Sequence, residues 1–117
     1  MKVLIVDDAR WQRHNLTRML SAAGHEVIQA SNGWEALEKL AESPAVVVCD
    51  LLMPELDGFG FLEQLQTREE RPPVVIASAD IQRTSRERCT ALGAAAFLAK
   101  PYQPTDILSL LTSVVAR

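Results

Sequence analysis

Short apolar runs alternate with longer amphipathic stretches along this chain of 117 residues. Runs rich in β-branched residues predict strands, and they read KVLIV (2–6), EVIQA (26–30), AVVVC (45–49), PVVIA (73–77) and AAFLA (95–99). The first, third and fourth runs are apolar, as expected of strands covered on both faces, whereas EVIQA carries polar residues and fits an edge. The pattern predicts an α/β fold with a doubly wound parallel sheet.

The stretches between these runs have the 3.6-residue spacing of helices. In the first stretch, Leu16, Met19, Leu20 and Ala23 fall on one side, and Gly24 follows as a C-terminal cap. The second helix is expected to begin after Ser31 or Asn32 and to bury Ala36, Leu37 and Leu40. The remaining helices are expected at residues 58–66, 84–92 and 104–115. Five strands and five helices therefore fit this length.

Composition and charge narrow the class of protein further. The chain is 48% hydrophobic and its formal net charge is −3, so we expect one globular domain over residues 1–117 and no nucleic-acid footprint. The apolar run at the N-terminus is too short for a signal peptide or a membrane span, which predicts a cytoplasmic protein. Cys49 and Cys89 lack metal-ligand spacing, and we expect both to be free thiols.

Three acidic residues directly follow predicted strands. Asp7 and Asp8 come after the first strand, and Asp50 comes after the third. In such sheets the functional crevice lies beyond the carboxyl ends of the strands, so these side chains are expected to converge if the two strands are neighbours. Clustered carboxylates raise one another's pKa unless a cation is present. Mg²⁺, or Mn²⁺, would suit this set of oxygens, although a loop start or a helix N-cap would explain the Asp7–Asp8 pair alone.

Two further strand ends carry groups that complement these acids. Ser78 and Ala79 lie at the end of the fourth strand, and Lys100 ends the fifth, followed at once by Pro101. A lysine and a hydroxyl beside acidic metal ligands are suited to binding a phosphoryl group. Taken singly, a serine here is usually a turn residue and a lysine is usually solvated. The combination of four strand ends is what indicates a phosphoryl site.

The sequence resembles the receiver domains of two-component response regulators over its whole length. The resemblance depends on four separated motifs, which are VLIVDD, CDLLMPELDG, IASA and FLAKPY. It implies a flavodoxin-like three-layer (βα)5 sandwich with strand order 2-1-3-4-5. It also implies that Asp50 is the phosphoacceptor and that Ser78, Ala79 and Lys100 contact the phosphoryl oxygens.

The same resemblance implies how a metal ion would be held. Asp8 and Asp50 would ligate Mg²⁺ directly, together with the backbone carbonyl of Leu52, and Asp7 would act through water. The peptide bond between Lys100 and Pro101 would be cis, which only X–Pro bonds adopt at low cost. The apolar side chain of Leu52 and the carboxylate of Asp80 stand where the family tunes the attacking water, so the sequence predicts no lifetime for the phosphoryl group.

Receiver domains respond to phosphorylation with a switch, which the resemblance assigns to Ser78 and Phe97. An ordinary core aromatic is the alternative for Phe97. The implied partners are a histidine kinase or histidine phosphotransfer protein and a downstream target or fused output domain, with the receiver a monomer or weak dimer. The implied kinase-docking residues, for which a solvated surface is the alternative, are Trp11, His14, Arg18, Tyr102 and Gln103.

Two other classes of protein share parts of this pattern. A flavin-binding electron carrier needs a phosphate-cradling loop after the first strand, where this chain has two aspartates. An aspartate-nucleophile phosphatase places its nucleophile after the first strand with another aspartate two residues later, and this chain has adjacent aspartates instead. The sequence therefore favours a self-catalysed phosphoryl acceptor over a turnover enzyme, either free-standing or as the N-terminal module of a longer response regulator.

Overall fold

A computed structural model describes residues 1–80 and 82–117. Strands and helices alternate along the chain, in the order β1 Lys2–Val6, α1 Arg10–Ala22, β2 Glu26–Ala30, α2 Gly33–Lys39, β3 Val46–Cys49, α3 Gly58–Leu65, β4 Val74–Ser78, α4 Arg83–Ala91, β5 Ala96–Ala99 and α5 Pro104–Val115. A 3₁₀ turn at Leu40–Glu42 extends α2. All strand pairs are parallel and the sheet order is β2-β1-β3-β4-β5, which confirms the predicted fold class.

The sheet separates two apolar layers. Alternate residues of β1 point to opposite faces, so Leu4 packs with α2, α3 and α4 while Val3 packs with α1 and α5. Phe61 of α3 fills the first layer, and Leu20 and Leu111 fill the second; all three are fully buried. The central strands are therefore covered on both sides, as their apolar runs predicted.

Local details of the helices follow the sequence with some differences. Asn32 caps α2, where its side chain accepts from the backbone N–H of Glu35 at 2.9 Å. Gly24 follows α1 with a φ of 91°, a left-handed conformation that glycine adopts without strain. The expectation that Ala23 joins the apolar stripe was wrong: it is exposed, because α1 ends at Ala22 and Ala23 has left the helical path. The side chains of Leu37 and Leu40 are only partly buried.

The edges of the sheet and the two cysteines also match their predictions. The polar run EVIQA forms β2 at one edge, as expected, and β5 forms the other. Cys49 and Cys89 are buried and free, and burial raises the pKa of the Cys49 thiol well above its ordinary value. Within the described residues, no helix has the length and apolarity needed to cross a bilayer.

Candidate functional site at the carboxyl edge of the sheet

The backbone of the strand ends fixes where the polar side chains begin. Three residues just beyond the strands still donate backbone hydrogen bonds to a neighbouring strand: Asp7 to the carbonyl of Ala30 at 3.1 Å, Asp50 to that of Val6 at 2.9 Å, and Lys100 to that of Ser78 at 2.9 Å. Each side chain therefore projects from rigid backbone. Rigid strand ends favour precise placement of reacting groups.

The three predicted acids lie together. Each of Asp7, Asp8 and Asp50 offers a carboxylate oxygen, and these oxygens all lie within 4.8 Å of one another. Asp7 is buried, Asp50 is partly buried and Asp8 is exposed, so the cluster opens to solvent on one side. The neighbours β1 and β3 bring these residues together, as the sequence predicted. An acidic pocket of this kind fits a hard divalent cation, which takes carboxylate oxygens and retains water.

Lys100 reaches across the sheet into this cluster. Its ammonium nitrogen Nζ lies 3.1 Å from Asp7 Oδ2 and 3.4 Å from Asp50 Oδ2. The side chain of Lys100 is 19% exposed, and those of Asp7 and Asp50 are 10% and 17% exposed. These ion pairs are therefore screened by water much less than surface pairs are.

The side chains of Asp50 and Lys100 shift each other's pKa. Burial raises the pKa of Asp50, and the neighbouring Asp7 carboxylate adds to the rise, while the Lys100 ammonium opposes it. Burial alone would lower the pKa of Lys100, but the negative charges of Asp50 and Asp7 outweigh this and leave the pKa of Lys100 raised. The lysine is thus held in its charged form. The carboxyl edge of the sheet, where Asp7, Asp8, Asp50 and Lys100 lie, retains an excess of negative charge that a cation can neutralise.

The loop after Asp50 holds that residue tightly. Asp50 Oδ1 accepts from the backbone N–H of Leu51 at 2.7 Å, and the N–H of Gly58 donates to the Leu51 carbonyl at 2.9 Å. A Cβ atom on Gly58 would come within 2.5 Å of the Asp50 carbonyl oxygen. The sequence pattern indicated Gly58 only as the start of a helix. Its lack of a side chain is what lets α3 pack against the backbone of the candidate phosphoacceptor.

The end of β4 supplies the predicted hydroxyl. Ser78 is almost fully buried, and its Oγ accepts from the backbone N–H of Asp80 at 3.1 Å. Ala79 is exposed and lines the same pocket as Asp7 and Lys100. The carboxylate of Asp80 accepts from the N–H of Gln82 and the hydroxyl of Ser85. It is therefore held at the N-terminus of α4.

The remaining predicted positions lie around this edge. Leu52 is 68% exposed, and because its side chain has no ligand atom, any role in metal binding falls to its backbone carbonyl. The Lys100–Pro101 peptide bond is cis, as the resemblance implied. Phe97 is partly buried against the α2–α3–α4 layer, and the guanidinium of Arg86 lies 5.3 Å from the centre of its ring.

One polar contact was missed by sequence reasoning. Lys100 Nζ donates to Gln12 Oε1 at 2.8 Å, which is shorter than either of its contacts with a carboxylate. Gln12 lies in the first turn of α1. A polar residue in the first turn of a helix that starts beside an acidic strand end was the available signal. It does not distinguish a partner of Lys100 from a solvated side chain.

The sequence matches a described family and several curated proteins. The match to "Response regulator receiver domain" covers residues 3–112. Chemotaxis protein CheY of Thermotoga maritima is 35% identical over 115 residues, which cover 97% of this chain and 96% of that protein. Protein PilH of Pseudomonas aeruginosa is 35% identical over 118 residues, which cover 98% of each.

Other relatives are longer than this chain. The probable transcriptional regulator ycf27 of Porphyridium aerugineum is 36% identical over 117 residues, which cover 99% of this chain but 48% of that protein. The chain therefore spans about half the length of the ycf27 relatives it matches.

Solved structures agree with these matches. Chemotaxis protein CheY4 of Vibrio cholerae superposes with a TM-score of 0.88 at 32% identity and covers 97% of both chains. A putative response regulator from Chloroflexus aurantiacus superposes with a TM-score of 0.92 at 28% identity, covering 99% of this chain and 98% of the other. The chain belongs to the family of response regulator receiver domains, the signalling modules of two-component systems.

Proposed function

We propose that Asp50 accepts a phosphoryl group from the phosphohistidine of a histidine kinase or histidine phosphotransfer protein. The supporting observation is the position of Asp50, which combines a partly exposed carboxylate, two neighbouring acids and a lysine ammonium 3.4 Å away. Residues 1–117 would form one receiver unit. In the transfer, a carboxylate oxygen of Asp50 forms a bond to phosphorus while the bond between phosphorus and the imidazole nitrogen breaks.

The acidic pocket is proposed to hold Mg²⁺, or Mn²⁺. The family resemblance assigns direct ligation to Asp8 and Asp50 with the carbonyl of Leu52, and contact through water to Asp7. The observed clustering of the three carboxylates supports this assignment. When bound, the ion would neutralise negative charge on the phosphoryl oxygens.

The chain's own residues would position the incoming group. Lys100 presents an ammonium held in its charged form and can donate to a phosphoryl oxygen. Ser78 offers a buried hydroxyl at the adjacent strand end, beside exposed Ala79. Phosphoryl transfer needs positioning and charge stabilisation more than covalent help, so this set of groups suffices. The resulting aspartyl phosphate would later be hydrolysed at the same site.

Phosphorylation is proposed to reposition Ser78 and Phe97. One hydrogen bond to a charged group contributes roughly 1.5–3 kcal/mol, whereas moving a two-state equilibrium from 1:99 to 99:1 takes about 5.5 kcal/mol. The Ser78 contact alone would therefore give a partial shift. Repositioning of Lys100 and binding of the downstream partner would supply the remainder.

The partners and setting follow from the same proposal. Trp11, His14 and Arg18 lie on α1, and Gln103 is exposed beyond β5 near partly buried Tyr102; they are proposed to contact the phosphodonor protein. The domain would act in the cytoplasm, as a monomer or weak dimer, without binding nucleic acid or membranes itself. Its output would be a separate protein, as the full-length match to CheY suggests, or a fused domain, as the half-length match to ycf27 suggests.

Labelling with a small phosphodonor tests the assignment of Asp50. Acetyl phosphate in the presence of Mg²⁺ should give a hydroxylamine-sensitive acyl phosphate on the wild-type protein, and Asp50→Asn should abolish it because the nucleophilic oxygen is removed. Asp57→Asn is a matched control in the same loop. Asp57 caps α3 by accepting from the N–H of Gly60 at 2.8 Å, and asparagine caps equally well. Equal labelling of Asp50→Asn and the wild type would refute the proposal.

A further inference from the structure

The ammonium of Lys100 has a hydrogen-bond acceptor for each of its three protons. Among the described residues these acceptors are Gln12 Oε1 at 2.8 Å, Asp7 Oδ2 at 3.1 Å and Asp50 Oδ2 at 3.4 Å. A lysine ammonium has three protons to donate and no acceptor of its own. The shortest of the three hydrogen bonds is therefore the one to a neutral amide, and the longest is the one to the candidate phosphoacceptor.

The position of Gln12 is fixed by the same carboxylate that binds Lys100. Asp7 Oδ1 accepts from the backbone N–H of Ala9 at 2.9 Å, which sets the start of α1, while Asp7 Oδ2 accepts from Lys100. Arg13 ties the helix to the same residue, since its Nη1 donates to the Asp7 carbonyl. The first turn of α1 is thus attached to the carboxyl end of β1 at two points, and Gln12 projects from that turn toward Lys100.

Gln12 is a fixed acceptor for Lys100 beside a pocket that water can enter. Gln12 and Lys100 both line a pocket of about 440 Å³ between α1 and the segment after β5, whose walls include Leu16, Met19 and Tyr102. The side chain of Lys100 is only 19% exposed. When Gln12 is replaced by an apolar residue, the Lys100 proton that it accepted is left to mobile water in this pocket, which does not hold the ammonium in one place.

We propose that Gln12 is a positioning residue that keeps the Lys100 ammonium directed at Asp50 during phosphoryl transfer to that residue. This inference rests on the proposed function. The hydrogen bond from Lys100 to Asp50 Oδ2, at 3.4 Å, is the longest of the three. A phosphoryl oxygen on Asp50 would replace Oδ2 as its acceptor. Gln12 and Asp7 would hold the other two protons, so that the Lys100 ammonium is already directed at Asp50 when the transfer begins.

The neutrality of Gln12 is part of this role. The edge already contains three carboxylates against one ammonium, and a fourth negative charge would oppose the approach of an anionic phosphoryl group. An amide oxygen satisfies the third proton without adding charge. Glutamine also has the reach to do so from the first turn of α1, where it lies 88 residues away from Lys100 in sequence.

The test compares three variants with the full wild-type chain. Gln12→Leu removes the acceptor at similar volume, and Gln12→Glu keeps an acceptor of the same reach. Asn15→Leu is the matched control, because Asn15 is an exposed amide of the same helix that lines the same pocket, so the variant adds the same apolar side chain there without removing the acceptor of Lys100. One measurement is the rate of labelling by acetyl phosphate with Mg²⁺ as the donor concentration is varied. The other is the ¹H–¹⁵N signal of the Lys100 ammonium, which is visible only when its protons are protected from exchange with water.

Gln12→Leu should lower the labelling rate at saturating donor about tenfold, the change that corresponds to about 1.4 kcal/mol, with the half-saturating concentration unchanged. It should also abolish the Lys100 ammonium signal. Gln12→Glu should keep the signal, and Asn15→Leu should match the wild type in both measurements. Circular dichroism of each variant checks that it is folded.

Three results would overturn the inference. These are wild-type rate and signal in Gln12→Leu, a slower rate with the ammonium signal intact, and an equal loss in Asn15→Leu. In each of them the wild-type protein is still labelled on Asp50, so the proposed function stands. Absence of label on the wild-type protein would refute the proposed function instead, and the ammonium signal would still decide whether Gln12 holds Lys100. If Gln12→Leu fails to fold, loss of the signal in Gln12→Glu would count against the inference.

Discussion

The apolar layers beside the sheet and the charged edge at the ends of its strands are stabilised in different ways. In the layers, side chains such as Phe61 and Leu111 are fully buried against other apolar groups, and each adds to stability through the area it removes from water. At the edge, carboxylate oxygens of Asp7, Asp8 and Asp50 lie within 4.8 Å of one another, and burial, together with repulsion from Asp7, raises the pKa of Asp50. The layers stabilise the fold, whereas the edge is kept in an arrangement that stability alone does not favour.

The largest expected effect comes from opening a cavity in a layer. Phe61→Ala should lower the free energy of unfolding by about 3–5 kcal/mol, because a fully buried aromatic ring leaves a cavity that the packed layer fills poorly. Chemical denaturation measures the loss. Phe59→Ala, two residues earlier, is the control, since Phe59 is only partly buried and has the Arg88 guanidinium 4.2 Å from its ring centre. Equal losses in the two variants would contradict the importance of full burial.

A smaller effect, an increase in the free energy of unfolding, is expected from a substitution at the charged edge. Asp50→Asn should make the metal-free protein more stable at neutral pH, because the pKa of Asp50 is raised in the folded state from its ordinary value of 3.8. As the pH rises, Asp50 loses its proton in the unfolded chain before it does so in the folded protein. The wild type therefore becomes less stable as the pH rises from 3.8 to the folded-state pKa of Asp50. The advantage of the variant should disappear below pH 3.8, where the carboxyl is protonated in both states.

Denaturation with a chelator present, repeated across this pH range, checks the prediction. Glu69→Gln is the control because Glu69 is exposed and the substitution makes the same change of charge. A wild type that is more stable than Asp50→Asn at neutral pH without metal would show that the Lys100 ammonium outweighs the cost of burying Asp50.

The smallest expected effect is a change in the pKa of Asp80, another acid that follows a strand of the sheet. Two donors lower the pKa of Asp80, first the Ser85 hydroxyl at 2.7 Å and then the Gln82 N–H at 3.0 Å. The stability this provides is present above pH 3.8 and is lost as the pH falls through the folded-state pKa. Ser85→Ala should therefore move the pKa of Asp80 back toward 3.8, as an NMR titration of its carboxyl would measure. An unchanged pKa would assign the shift to the backbone donor alone.

The two acids differ because of their surroundings and not because of their residue type. Asp50 is partly buried and faces another carboxylate, so its charged form is disfavoured. Asp80 accepts hydrogen bonds from Ser85 and Gln82 at the N-terminus of α4, so its charged form is favoured. Both follow closely on a parallel strand, and sequence position alone would have treated them alike.

The sequence by itself determined the order of strands and helices and the strand ends that carry Asp7, Asp50 and Lys100. These features depend on local periodicity and on the rule that parallel strands share a functional edge, so short windows of sequence contain them. The resemblance to receiver domains supplied the strand order 2-1-3-4-5 and the cis bond before Pro101, and the structure has both.

Only the tertiary structure decided which groups touch. The hydrogen bond between Gln12 and Lys100 joins residues 88 positions apart, and the closeness of Gly58 to the Asp50 carbonyl depends on how α3 packs. The exposure of Ala23 depends on the residue at which α1 ends. Proximity in space and burial are properties of the packed chain, and they set the distances and pKa values on which the chemistry of the edge depends.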